Sequence, residues 1–221
     1  MPPLDSPTLR RLGALWRSLS LPESPPPPAL LCLGVFGSGV TWAANTALEA
    51  LREAGAPGLQ LRYGDDELAP GTLRPGRSLV ILSHHASEQM LARARRAGIP
   101  VLVTLRAPEA AVLSLMRRFR LPFGTALEMV RGSAETCCRA QGALPLLALR
   151  YESGFARDIA GATAIARHLR LRLQRDSLEL LAGAPARPRD HWPPPRAQLG
   201  TAQLVELRRV TAAFRQRFHY A

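Results

Sequence analysis

The chain contains no lysine: its 29 basic residues are all arginine and stand against 17 acidic ones, a formal net charge of +12 over 221 residues. Without lysine the GxxxxGK[ST] loop of nucleoside-triphosphate enzymes cannot form, so a standard ATPase or GTPase is disfavoured. No uninterrupted apolar stretch approaches the ~20 residues of a membrane helix. The first thirty residues lack the basic start, long apolar segment and cleavage site of a secretory signal, so the expected compartment is the cytoplasm. Cysteine is scarce. Cys32 and the adjacent Cys137 and Cys138 offer neither metal spacing nor a disulfide framework, and read as structural thiols with no metal expected. Aromatic residues make up 5% of the chain and do not interleave with the arginine clusters, which ranks a nucleic-acid surface last among the partners a basic protein admits. The charge favours some anionic ligand but does not choose between nucleotides, acidic substrates and anionic surfaces.

What the sequence does contain is apolar patterning: the hydrophobic share is 47%, enough for one globular domain of ordinary size. Residues 8–19 have helical apolar spacing and precede the stiff "PESPPPP", so residues 1–28 read as an N-terminal helix with a proline-rich spacer before a main domain over 29–221. That domain opens with "ALLCLGVF" (29–36), too apolar for an exposed strand and too short for a typical helix. A helix from Thr41 to Ala54, a short strand "LQLRYG", and the β-branched runs 77–83 and 99–106 separated by "SEQMLARARRAG" follow. Helices are predicted over "PEAAVLSLMRRF" and 123–140, and a further strand over 144–152. A helix capped by Asp158 then runs through "DIAGATAIARHLRLRL". The proline-rich 184–196 reads as a loop, and "TAQLVELRRVTAAFRQRF" as one closing helix. Strands alternating with helices predict an α/β fold: a three-layer, doubly wound, mainly parallel sheet whose ligands sit beyond the strands' carboxyl ends.

Between the first core strand and its helix lies "LGVFGSGVTW" (33–42). Glycines there remove the Cβ atoms that would hold a phosphate away, and the amides of Ser38, Gly39, Val40 and Thr41 at a helix N-terminus suit an anion. An ordinary glycine turn is the bland alternative. "SHHAS", "LRAPEAAVLS" and "LRYES" close three further predicted strands.

Taken together these segments resemble the sulfotransferase family, whose members move a sulfuryl group from 3′-phosphoadenosine 5′-phosphosulfate to an acceptor hydroxyl or amine. The resemblance spans about residues 29–170. The family's P-[KR]-S-G-T-T-W loop binds the phosphosulfate, which implies that role for Ser38, Gly39, Val40, Thr41 and Trp42, with Gly37 standing where the basic residue belongs. Its 3′-phosphate signature, an arginine at a strand end with serine eight residues on, is matched by Arg106 and Ser114. A planar guanidinium suits that role because it can give phosphate two parallel hydrogen bonds. Its histidine base aligns with His84, and His85 is the weaker candidate; the tyrosine near the adenine aligns with Tyr151. "RPRDHW", with Arg187 and Arg189, imitates the family's C-terminal basic loop only loosely. The resemblance implies a small-molecule or glycan acceptor of unspecified identity. A nucleotide-binding protein of the same fold with impaired catalysis is the alternative reading.

Overall fold

Leu30, Cys32, Val80, Leu82 and Leu102 enter one core, whereas Leu31, Leu33, Ile81, Val101 and Val103 enter another on the opposite side of the sheet. Strands that are apolar at consecutive positions are what a sheet covered on both faces requires. The computed structural model describes residues 27–64, 68, 73, 76–144, 146–183 and 198–220. The expected helix over 8–19 and the loop over 184–196 lie outside them.

Five strands, β1 (Ala29–Gly34), β2 (Gln60–Tyr63), β3 (Leu79–Ser83), β4 (Val101–Leu105) and β5 (Leu146–Arg150), form one sheet in the order β2-β3-β1-β4-β5. Every neighbouring pair is parallel, and Cys32 of β1 lies opposite Leu82 on one side and Leu102 on the other. Helices α1 (Val40–Glu53), α5 (Ile159–His168) and α6 (Arg175–Gly183) pack on one face. The other face carries α2 (Glu88–Arg96), α3 (Pro108–Phe119), α4 (Phe123–Ala143), α7 (Thr201–Val210) and α8 (Ala212–Phe218). This is the three-layer α/β architecture expected from the sequence, with the sheet wholly parallel. Among the described residues no helix is long and apolar enough to cross a membrane.

Local chemistry explains most of the boundaries. Ser87 accepts from the Met90 N–H at the start of α2, Asp158 accepts from the Ala160 N–H at the start of α5, and Pro108 occupies the first turn of α3, where its missing N–H costs no helical bond. Two expectations change. The closing helix is broken at Thr211, which leaves the helical region with φ −106°, and so becomes α7 and α8. The helix after Asp158 ends at His168 instead of running on through Leu173. Arg170 adopts φ +58°, its N–H bonds the Arg167 carbonyl, and the Leu171 N–H bonds the Ala166 carbonyl, the paired bonds of a left-handed helix end. A separate helix, α6, then starts at Arg175.

The connections define the crevice. β1 leads to α1 on one face, while its neighbours β3 and β4 lead to α2 and α3 on the other. Loops that part in this way open a cleft beyond the carboxyl end of β1.

Candidate functional site

The loop after β1 is shaped by its small residues. Gly34 closes the strand, and a Cβ there would overlap Thr104 Oγ1 and lie 2.9 Å from Ser38 Oγ. Only glycine leaves room for the buried hydrogen bond between the hydroxyls of Ser38 and Thr104, 2.6 Å apart. That bond turns the Ser38 side chain into the protein. The Ser38 N–H also donates to the Val35 carbonyl at 3.0 Å, closing a turn. Ser38 therefore braces the loop. The amides of Val40, Thr41 and Trp42 open α1, whose N-cap is Gly39 in the left-handed region (φ 85°), with no side chain capping the helix and no acid in its first turn. Uncapped N–H groups at the positive end of a helix dipole form an anion site. Thr41 is exposed beside them.

Two glycines set the loop's walls. Gly37 has φ 73°, and a Cβ there would lie 3.1 Å from Arg106 Nη1 and 3.2 Å from Ser114 Oγ. Arg106 Nη1 donates to the Gly37 carbonyl at 2.8 Å. On the other side, a Cβ at Gly39 would meet the rings of Phe155 at 3.3 Å and Tyr151 at 3.5 Å. Tyr151 also lies under the Arg106 guanidinium, 4.5 Å from its centroid, a cation–π arrangement that orients the arginine. Loop, Arg106, Ser114 and Tyr151 thus form one cluster, although Gly37 and Tyr151 stand 114 positions apart in the sequence. Trp42 packs edge-on against Phe155 at 5.6 Å, and its buried Nε1 has no hydrogen-bond partner among the described residues.

His84, at the end of β3, joins the same crevice from the other side of β1. Its Nδ1 lies 2.6 Å from the Gly34 carbonyl and its ring stacks on Phe36 with centroids 3.8 Å apart. A carbonyl can only accept, so in the neutral ring Nδ1 carries the proton and Nε2 is the basic nitrogen. The His85 ring lies between Phe36, tilted at 5.5 Å between centroids, and Gly132 of α4, where it is 3.0 Å from the place a Cβ would take.

Several residues of this arrangement escaped the sequence reading. Thr104 sits in an apolar strand, where a lone threonine carries no signal. Phe36 and Phe155 look like ordinary core aromatics. Glu152 accepts from the Ala107 N–H at 2.7 Å and from the Tyr220 hydroxyl at 3.1 Å, which ties the C-terminal residues to the loop that carries Arg106. Arg150 lies over the Tyr220 ring at 4.9 Å and donates to the Phe218 carbonyl. Burial, reinforced by the Glu152 carboxylate, pushes the Tyr220 phenol well above its ordinary range. Only the adjacency of Glu152 to Tyr151 hinted at this latch.

No protein-family profile and no curated protein sequence matches the chain. Among solved structures, the mouse sulfotransferase SULT7A1 complexed with PAP matches with a TM-score of 0.56 at 15% identity, over 87% of this chain and 89% of that one. The chain has a sulfotransferase-like fold. At that identity the likeness speaks for the architecture alone. Arg187 and Arg189 lie outside the described residues.

Proposed function

We propose that this protein binds 3′-phosphoadenosine 5′-phosphosulfate and transfers its sulfuryl group to a hydroxyl or amine of a small-molecule or glycan acceptor. The observation that carries the proposal is the convergence, in one crevice, of an uncapped helix N-terminus, the Arg106–Ser114 pair and the basic nitrogen of His84. The residues present suit the nucleotide. Cβ atoms at Gly37 and Gly39 would fill the cradle, and beside it lies the buried Trp42 Nε1, which has no partner among the described residues. The mouse sulfotransferase of similar fold is complexed with PAP, the nucleotide product that such a transfer releases.

The bound donor supplies the sulfuryl group; the remaining work falls to the chain. The amides of Val40, Thr41 and Trp42 hold the phosphosulfate, with the Thr41 hydroxyl adding a donor, while Gly39 keeps the backbone close and Ser38 locks the turn. Arg106 and Ser114 hold the 3′-phosphate, and Tyr151 keeps Arg106 in place. His84 Nε2 takes the acceptor's proton as its oxygen or nitrogen bonds to sulfur and the bond from sulfur to the bridging oxygen breaks. Proton removal of this kind contributes ~10²–10⁴-fold.

Gly37 favours a second reading. No cationic side chain springs from the loop, and loss of one electrostatic donor in such a site costs ~10²–10³ in rate. A protein that binds the nucleotide without transferring from it would have this arrangement. A transfer assay with labelled donor and a panel of hydroxyl and amine acceptors, run beside calorimetry with adenosine 3′,5′-bisphosphate, separates the two. Binding with transfer supports the enzyme, and binding with no transfer to any acceptor supports the second reading. Equal affinity of the native protein and Arg106→Ala overturns the assignment of the 3′-phosphate.

A further inference from the structure

Away from this crevice, a groove of about 540 Å³ runs between α2 and the C-terminal half of α4 and is closed at one side by α8. Arg95 and Arg96 come from α2, Arg139 from α4 and Arg217 from α8, so guanidinium groups from three helices converge on it. Glu88 is the one acid in the lining among the described residues, and Glu135 of α4 acts with Arg139 and Arg217 on the Cys138 thiol. Arg217 Nη1 donates to the Cys138 carbonyl at 2.8 Å, and Arg139 Nη2 to Thr136 Oγ1 at 3.1 Å. These partners are neutral, and the bonds hold the two guanidinium groups in place. Gly142 makes room for one of them, since a Cβ there would lie 3.2 Å from Arg217 Nη1. Between the charged walls, the exposed Ala92 and the edge of the otherwise buried Leu91 supply a small apolar surface.

We propose that this groove docks an acidic peptide segment of a partner protein, one carrying an apolar side chain between carboxylates. Charge complementarity selects the sign: guanidinium groups on both walls favour carboxylates, which they can bind through paired hydrogen bonds. The apolar surface centred on Ala92 selects against a purely hydrated anion, which gains nothing from it, and favours a side chain that leaves water. Glu88 selects against a uniformly negative backbone, whereas a peptide presents N–H donors to it. Among the described residues the lining has no aromatic ring on which a nucleic-acid base could stack. Nothing in the proposal depends on the nucleotide.

The test is fluorescence anisotropy on the full chain with a dye-labelled hexapeptide of sequence Asp-Leu-Glu-Asp-Leu-Glu and no nucleotide. Affinity should fall about tenfold or more in Arg96→Glu, in Arg217→Gln and for the peptide with amides in place of carboxylates, since rim and interface charges act on binding directly. Replacing both leucines by serine should weaken it as well. Ala92→Trp, at an exposed position that leaves the core intact, should block the groove. Arg209→Glu, an equal change of charge on exposed α7, should leave affinity unchanged. Absence of binding overturns the proposal, as does equal loss in Arg209→Glu and Arg96→Glu. Tighter Arg96-dependent binding of oligothymidylate or tripolyphosphate than of the peptide also overturns it and assigns the groove to a polyanion.

Discussion

Arg106 donates to the Gly37 carbonyl at 2.8 Å, and its guanidinium, with Ser114, occupies the space that a side chain at position 37 would need. The basic residue missing from the loop therefore cannot be restored by simple replacement. Gly37→Lys has to place a branched Cα at φ 73° and push against Arg106. The left-handed conformation alone costs ~1–2 kcal/mol, which for a chain of this size lowers the melting temperature by about 2–8 °C. Calorimetric melting should show that loss, and the labelled-donor assay should show no gain in transfer. A gain in transfer at unchanged stability contradicts the packing described for Gly37.

The Ser38–Thr104 hydroxyl pair predicts a non-additive double mutant. Thr104→Val removes one partner and leaves a buried hydroxyl unsatisfied, at a cost of about 1–3 kcal/mol, whereas removing both partners is close to neutral. Denaturant unfolding of Thr104→Val, Ser38→Ala and the double variant should show the double variant losing much less than the sum of the two. Strict additivity would mean that the bond contributes nothing to the loop.

His84→Gln should separate binding from chemistry. Affinity for adenosine 3′,5′-bisphosphate should stay near that of the native protein, while the rate of any transfer detected falls by ~10²–10⁴. His85→Gln, altering a ring that rests on α4 and only tilts against Phe36 at 5.5 Å, should change the rate little. An equal loss in both variants removes His84 from the role of base.

Tyr220 predicts an alkaline limit to stability. Its phenol is held protonated in the folded protein by burial and by Glu152, whereas in the unfolded chain it ionises near pH ~10. The unfolded state then binds fewer protons than the folded one, so the contribution from this group is intact below pH ~10 and declines as pH rises beyond it. Urea unfolding of the native protein and Tyr220→Phe at pH ~8 and ~11 tests the sign: the native protein should lose more of its stability across that interval. A larger loss in Tyr220→Phe contradicts the assignment.

The three thiols should differ in reactivity in a way the sequence does not disclose. Cys32 and Cys137 are fully buried and their thiols are pushed far above the ordinary range by desolvation, while Cys138 is half-buried and raised less. Because the thiolate is the reactive form, a maleimide followed by mass spectrometry should modify Cys138 first and slowly, and all three only in denaturant. Early modification of Cys32 contradicts its place in the central strand.

Much of this fold could be read from local chemistry, and the helix ends show where that reading stops. Gly55 and Gly98 both adopt positive φ after α1 and α2, with the bond pairs Gly55 N–H to Arg52 and Ala56 N–H to Leu51, and Gly98 N–H to Arg95 and Ile99 N–H to Ala94. Glycine marks such ends in a sequence because it enters the left-handed region without a Cβ penalty. Arg170 makes the same bond pattern at φ 58°. Nothing about an arginine announces a stop, so α5 looked longer than it is and α6 was missed.

The site divides in the same manner. The glycine loop, Arg106 and His84 follow strands that the apolar runs already marked, and Ser114 falls on the next helix, so their places in the fold were legible, whereas their proposed roles came from the resemblance to sulfotransferases. That Ser38 turns inward, that Tyr151 supports Arg106, and that Glu152 joins Tyr220 to the Ala107 amide were not legible, because each partner is remote in sequence and ordinary in type.

The order of apolar runs, turn residues and caps determined that this chain forms a parallel sheet covered on both faces, since those signals act between residues a few positions apart. Tertiary structure alone decided which side chains meet at the end of β1 and which arginines share a groove between α2 and α4. Those contacts join residues from distant parts of the chain, and their energies arise only once the sheet has brought the loops into one place.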